Sequence, residues 1–483
     1  MAATVFHIQT FGCQMNAGDS AWLARSLRSR GFAQGAFEDA SLYVLNTCSV
    51  RDKAEQKVYS ELGRIARLCG VRRRQGITVC VGGCVAQQAG PALMRRFPQI
   101  RLLFGPDGIA RAPEAIDRLL EEPSLRLNLL AFADQYEERA GVWQEGTAPA
   151  SAFVNIMQGC DNFCAYCIVP HVRGRQKSRK PEAVLDECRS LLAAGTREVT
   201  LLGQNVNAYG LDGESERPDG APFARLLRDV AALPGLSRLR FVTSHPKDIA
   251  PEVVSAFGDL EPLCPRLHLP LQSGSDRILQ RMGRRYDTAR YLDIVDSLRR
   301  ARPDILLTTD IIAGFPGETE EDFAATLDMM RRVRFAASFS FVYSDRPQAR
   351  AVLLPDKVER AVALNRLSRL QRWQNEASDQ LLRSMIGKTA TILLEEPSRR
   401  SFLSREAADK EGGGEVAGTK PDVFPGGKGT GKQSWQGKTP HGLIVHVPLP
   451  PRGKDGWQGV LLPVSIERAT KHSLQGKQAG APW

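Results

Sequence analysis

Three cysteines, Cys160, Cys164 and Cys167, stand in the spacing C-x3-C-x2-C directly after a strand-like apolar run. Thiolates are the ligands of iron-sulfur clusters, and three of them satisfy only three irons of a four-iron cluster. The fourth iron is then open to a substrate or cofactor. A structural zinc site normally closes with four ligands and favours C-x2-C pairs. Buried apolar cysteine would need three such residues to coincide in one loop led by Gly159. A second trio, Cys13, Cys48 and Cys84, is separated by 35 and 36 residues. Scattered core cysteines are the competing reading for these three on spacing alone. Cys188 lies on an apolar helical stripe, and Cys69, Cys80 and Cys264 lack motif context, so all four read as buried structural residues. Cys80, four residues before Cys84, could mimic a ligand.

The elements that must position these thiols follow an α/β rhythm. Apolar runs at residues 5–9, 42–45, 77–81 and 101–104 alternate with helical patterns such as 52–68 and 113–120. That alternation predicts a parallel sheet with helices on its faces. Cys13, Cys48 and Cys84 follow the first three runs, and parallel strands point their C-terminal ends the same way, so equivalent loops can converge on one crevice. A polar stretch at 134–149 reads as a linker. Six further strands are predicted at 153–156, 198–202, 239–242, 267–271, 306–312 and 338–342, with helices such as 181–194 between them. Each ends in polar or glycine-rich residues: Gly159-Cys160, Gly203-Gln204-Asn205, Ser244-His245, Gln272-Ser273-Gly274, Gly314 to Glu318, and Tyr343-Ser344. In a βα barrel that edge builds the active site. Six units predict an incomplete, laterally open barrel able to admit a large substrate. A helix at 357–385 precedes strand-like 389–394, 443–447 and 459–466, which fit a small β-barrel. The Gly, Lys and Ser-rich stretch 397–437 reads as a disordered insertion in it.

The chain has 483 residues, a net charge of +11 and a pI near 9.3. From residue 397 onward 13 Lys and Arg face 7 Asp and Glu, placing +6 of that charge at the C-terminal end. Such a balance favours a polyanion, because cations gain affinity by displacing counterions from phosphates. The start carries no cationic stretch ahead of an apolar run, and no uninterrupted apolar segment is long enough to cross a bilayer. A soluble cytoplasmic protein without membrane association is expected, and a monomer, since nothing reads as a coiled coil or repeat.

The loop Gly159-Cys160-Asp161-Asn162-Phe163-Cys164-Ala165-Tyr166-Cys167 resembles that of the methylthiotransferase branch of the radical-SAM superfamily. Gly12-Cys13-Gln14-Met15-Asn16, Asn46-Thr47-Cys48-Ser49-Val50-Arg51 and Gly82-Gly83-Cys84 resemble the three motifs of that family's N-terminal domain. Leu202 to Asn207 and Thr309 to Thr319 extend the likeness across the barrel. Gly437-Lys438-Thr439-Pro440 and Leu474-Gln475-Gly476 resemble the TRAM domain, an RNA-binding β-barrel. The resemblance spans nearly the whole chain outside 397–437. It implies a methylthiotransferase N-terminal domain at 1–133, a radical-SAM core at 146–383 and a TRAM domain at 384–478. His171 and Gln176 depart from it, standing where the family usually has Tyr and Glu. The second change removes a charge but keeps hydrogen bonding.

By this resemblance two [4Fe-4S] clusters are expected, one on Cys13, Cys48 and Cys84 that accepts the sulfur, and one on Cys160, Cys164 and Cys167 that binds S-adenosylmethionine. Gly203, Gln204, Asn205, Ser244, His245, Gly314 and Glu318 are the candidate S-adenosylmethionine contacts, with a satisfied loop histidine as the plainer reading of His245. Arg173, Arg175 and Arg179 could grip RNA phosphates, although an exposed solvated run is the commoner meaning of such spacing. The Gln-Met-Asn after Cys13 points to the branch that adds a methylthio group to N6-dimethylallyladenosine at position 37 of tRNA, engaging the anticodon stem-loop. It would use one S-adenosylmethionine as methyl donor and one as radical source. An electron donor such as flavodoxin or ferredoxin and a sulfur source are implied as well. The same chemistry on threonylcarbamoyl-adenosine or a ribosomal-protein aspartate is the near alternative. A non-catalytic iron-sulfur RNA-binding sensor is the distant one.

Overall fold

The structure is a computed structural model that describes residues 4–49, 52–72, 77–139, 148–212, 221–398, 433–452 and 456–483, without the side chains of 52–54, 69, 71 and 72. The expectation for Cys69 and most of the insertion reading, at 399–432, fall outside these residues.

The N-terminal part is a six-stranded, all-parallel sheet. Its strands are β1 (Val5–Thr10), β2 (Ala33–Gln34), β3 (Leu42–Thr47), β4 (Thr78–Gly83), β5 (Ile100–Phe104) and β6 (Leu127–Leu129), in the order β2-β1-β3-β4-β5-β6. The central strands β3 and β4 are buried along their whole length, as a sheet covered on both faces requires. One face packs Phe6, Leu23, Leu27, Leu102 and Ile116; the other packs Tyr43, Val58, Leu62, Val81 and Leu103. The two edge strands were not apparent in the sequence because they are two and three residues long.

The middle part has six parallel strands: β7 (Ser151–Asn155), β10 (Glu198–Leu202), β11 (Arg238–Phe241), β12 (Arg266–His268), β13 (Leu306–Ala313) and β14 (Ala337–Val342). A short ribbon, β8 (Met157–Gln158) with β9 (Lys177–Ser178), closes off the cysteine loop. The strands pair as β7-β10-β11 and β12-β13-β14, and a parallel bridge from Leu239 to Leu263 joins the halves into the open barrel expected from six units. Along β10 and β11, Val199, Leu201, Leu239 and Phe241 join the core under the helices, which leaves Glu198, Thr200, Arg238 and Arg240 on the opposite, inner face. Helix Arg360–Arg383 then packs against β14.

The C-terminal part is a closed five-stranded barrel, β15-β16-β17-β19-β18, from β15 (Thr389–Pro397), β16 (Gln433–Lys438), β17 (Ile444–Leu449), β18 (Leu461–Ala469) and β19 (Leu474–Gln478). Residues 433–437, assigned to the disordered insertion from composition, instead form β16. Its Trp435 points inward against Leu394, Val447 and Leu462, a contact invisible in a Gly- and Lys-rich stretch.

Candidate functional site

Both cysteine trios sit where the strands end. Cys13 follows β1 at the N-cap of helix Gln14–Ser29, Cys48 follows β3, and Cys84 opens helix Cys84–Ala89 directly after β4. Close packing brings them together. A Cβ on Gly12 (φ +123°) would lie 2.1 Å from Cys48 Cβ, and one on Gly83 (φ +88°) would lie 2.3 Å from the Thr47 carbonyl. Asn16 knits the loops: its amide donates to Thr47 O (2.8 Å) and Asn46 Oδ1 (3.1 Å), and its oxygen accepts from Cys13 Sγ (3.3 Å). A hydrogen bond from Cys48 is the main reason the Cys13 thiol is drawn down to about 5, opposed by burial and helped by Arg173. A helix N-terminus favours a thiolate in the same direction. Burial pushes Cys84 up, with Arg173 the largest opposing influence. Ser49 Oγ and Arg173 Nη1 are buried here without a hydrogen-bond partner among the described residues.

The second trio lies in the loop after β8. Burial raises Cys160, and it raises Cys167 to about 12. Such thiols ionise at neutral pH only against a cation, which suits iron ligands. Val169 N donates to Cys167 Sγ (3.4 Å), and Arg284, fully buried on the barrel, reaches Cys164 Sγ (3.5 Å) and Tyr166. His245 Nε2 stands 3.9 Å from Cys164 Sγ while Nδ1 accepts from Lys247 N (3.2 Å). Burial, then Arg284 and Lys247, bring His245 down to about 2, so its imidazole is neutral. Among the described residues no three His, Cys, Asp or Glu close on one point tightly enough for a single metal ion. A four-iron cube, whose irons occupy separate corners, needs no such point. The donor sets and the unpartnered buried groups fit clusters at both trios.

The strand-end residues named from sequence divide by role. Gln204 Oε1 accepts from Gly159 N (2.5 Å) and its amide meets Met15 sulfur, linking the cysteine loop to the Gln14-Met15-Asn16 segment. Asn205 binds Asp248 (2.7 Å), which also takes Asn162 (3.1 Å), tying the loop to β10 and β11. Ser244 Oγ is buried and without a partner among the described residues. A Cβ on Gly203 would lie 2.5 Å from Met157 Cγ and one on Gly314 (φ +73°) 2.5 Å from Ala363 Cβ, so neither position has room for a side chain. Glu318 bonds Gly314 N (2.9 Å) and Arg366 (2.8 Å), so it braces the loop rather than lying open at the mouth. Phe163, Thr243 and Gln272 hold positive φ at these strand ends, strain that concentrates where backbone is shaped for binding.

Two expectations change. Arg173 and Arg179 are buried and cannot grip phosphate; only Arg175 is exposed. Arg179 pairs with Glu138 (2.7 Å) and Glu187 (2.5 Å). The described residues of the expected linker, 134–139 and 148–149, form no helix or strand, and Arg139 binds Asp19 (2.5 Å) beside a cavity of about 720 Å³ lined by Trp22, Arg25 and Tyr136, touching neither trio. Gln176 donates its amide to Ala208 O (2.5 Å), which a carboxylate could not do. His171 is exposed. Asn162 and Arg284 were missed, since nothing in their spacing announces contacts across 86 and 120 residues, and so was Tyr286, whose hydroxyl donates to Leu271 O at 2.8 Å.

Comparison with known proteins agrees with this geometry. Residues 154–330 match the model of the radical SAM superfamily, and residues 5–105 match that of an uncharacterized protein family, UPF0004. A tRNA-2-methylthio-N(6)-dimethylallyladenosine synthase of Nitratidesulfovibrio vulgaris (strain DP4) is 59% identical over 478 residues, 99% of each chain. The chain belongs to the tRNA-2-methylthio-N(6)-dimethylallyladenosine synthase family. A synthase of the same name from Oleidesulfovibrio alaskensis is 56% identical over 99% of each chain, and one from Geobacter sulfurreducens is 48% identical over 82% of this chain and 87% of its own. Among solved structures, the radical S-adenosylmethionine methyltransferase TsrM from Kitasatospora setae, with tryptophan substrate and a SAM analog, gives a TM-score of 0.51 at 17% identity over 83% of this chain and 79% of that one. That likeness speaks for the fold alone. Membership in this family brings a [4Fe-4S] cluster and S-adenosylmethionine.

Proposed function

We propose that this protein converts N6-dimethylallyladenosine at position 37 of tRNA to its 2-methylthio derivative, as the name of its relatives describes. Cys160, Cys164 and Cys167 would hold one four-iron cluster, and Cys13, Cys48 and Cys84 a second. When bound, these groups and S-adenosylmethionine supply the radical, the sulfur and the methyl group for an adenine C2–H bond that offers no acidic proton to a general base.

The chain's own residues do the placing. The observation that supports the reading best is the direct joint between the two cysteine loops: Cys84, Ile168 and Val172 pack as one buried cluster, and Gln204 spans Gly159 and Met15. Two groups that must act on one atom need such proximity. The Asn162–Asp248–Asn205 network fixes the cysteine loop on the strand ends. Gly203, Ser244, neutral His245 and the loop from Gly314 to Glu318 surround the place where S-adenosylmethionine is proposed to bind. Exposed Arg452, Arg468, Lys471 and Lys477 on the C-terminal barrel offer cations to RNA phosphates. No described helix is long and apolar enough to cross a membrane, which accords with a cytoplasmic setting. A flavodoxin- or ferredoxin-like electron donor, a separate sulfur source and a monomeric state complete the reading.

The test is anaerobic reconstitution with iron and sulfide, then incubation with dimethylallylated tRNA, S-adenosylmethionine and dithionite. Mass spectrometry of the nucleosides should show the 2-methylthio product, absent from Cys48→Ala and Cys160→Ala. Formation of 5′-deoxyadenosine with no modified nucleoside would overturn the substrate assignment.

A further inference from the structure

We infer that Arg173, supplied by the open barrel, is the charge partner of the N-terminal cysteine site and sets the reduction potential of the cluster held there. This rests on the two-cluster reading above and deepens it. Arg173 ends the helical turn Val169–Arg173, six residues after Cys167, and is 4% exposed. The turn is locked in place: Ile168 and Val172 pack on Cys84, and a Cβ on Gly174 (φ +74°) would press on Phe132 at 3.1 Å. The guanidinium therefore crosses from the barrel into the N-terminal site in a fixed position.

Burying a guanidinium is costly unless anions compensate it. The neighbouring arginines have them. Arg179 has Glu138 and Glu187, and Arg175 is exposed with Asp161 at 2.9 Å. Arg173 makes no ion pair with a carboxylate among the described residues. Asp19, which feels its charge, is bound to Arg139 at 2.5 Å, and the Arg173 contact at 3.1 Å is the neutral Asn16 oxygen. Its Nη1 is buried and unpartnered. The Asn16 oxygen it reaches also accepts from Cys13 Sγ at 3.3 Å, and Ile168 and Val172 of its own turn pack on Cys84, so the guanidinium lies among the cysteines of this site. Three thiolates around a cluster are the anion this site lacks. Arg284 repeats the arrangement at the other trio, 3.5 Å from Cys164.

A fixed positive charge and a free N–H donor beside a cluster stabilise its more reduced, more negative state and so raise its potential. The test uses the full chain with Cys160, Cys164 and Cys167 all changed to Ala, so that bound iron reports the N-terminal site alone. Iron per chain and the midpoint potential, from redox titration followed by electron paramagnetic resonance, are compared for this parent and for Arg173→Met, Arg173→Lys and Arg175→Met. The expected result is a shift to more negative potential in Arg173→Met, most of it recovered in Arg173→Lys, and none in Arg175→Met. Loss of iron from Arg173→Met with retention in Arg173→Lys also supports the charge role. An unshifted potential in iron-loaded Arg173→Met overturns the inference. So does equal iron loss from Arg173→Met and Arg173→Lys, which would mark a packing role. A parent that binds no iron would overturn the two-cluster reading itself, and this inference with it.

Discussion

Arg366 donates to Glu318 Oε1 at 2.8 Å with both side chains almost wholly buried. The pair joins helix Arg360–Arg383 to the loop after β13, because the same oxygen also receives Gly314 N. Removing one partner of a buried pair strands the other's charge, at a cost of about 3–5 kcal/mol. Arg366→Met should therefore lower the denaturation midpoint strongly and weaken S-adenosylmethionine binding. Calorimetry of ligand binding to the folded fraction checks the second effect.

Gly12→Ala should act on chemistry more than on fold. The added Cβ meets Cys48 Cβ and Sγ, and the positive φ disfavours any side chain. Reconstituted protein is expected to lose roughly half its iron, one cluster of two, while keeping the barrel site. Full iron content would contradict the assignment of Cys48.

Cys80 tests the opposite case. It is fully buried within the sheet core, with burial raising its thiol to about 12. Cys80→Ala should leave iron content unchanged and cost only a cavity's worth of stability, about 1–2 kcal/mol. Cys84→Ala, four residues on, should lose the N-terminal iron.

Asp322 carries a pH dependence. Burial would raise its pKa, but Arg277, Ser275 and the Thr319 capping box overrule it and hold the carboxyl at about 2. Its folded value lies below the ordinary carboxylate's, so its contribution is present above about pH 4 and fades as pH falls through about 2. Asp322→Ala should cost about 1–2 kcal/mol at neutral pH. Urea midpoints of variant and parent apoprotein should draw together only as pH falls to about 2.

Truncation after Met385 should weaken tRNA affinity while both iron sites still load. Filter binding and iron analysis measure the two effects independently. Unchanged affinity would remove the C-terminal barrel from RNA binding.

Most of this architecture was legible because buried parallel strands are apolar runs bounded by glycine and polar residues, and all six barrel strands fell near their predicted places. The cysteine loops were legible for the same reason, since each follows a strand. What the sequence hid is long-range partnership. Arg173 and Arg179 read as solvated or phosphate-gripping until Asn16 and Glu138 are seen beside them. Residues 134–139 read as a linker and form no helix or strand, but nothing in the sequence announces that Arg139 among them binds Asp19.

Arg238, Arg240 and Arg266, at or near the starts of β11 and β12, donate to backbone carbonyls of Thr391, Lys438, Thr439, Pro440, His441 and Gly442. The C-terminal barrel is thereby bolted to the rim opposite the cysteine loops. The distance between the two rims is then set by strand length, roughly 17 Å for five residues at about 3.3 Å each. On the proposed function, an RNA gripped at one rim and modified at the other would be measured against a rigid gauge. Choice of nucleotide would then depend on reach along the folded RNA as well as on the shape of the base.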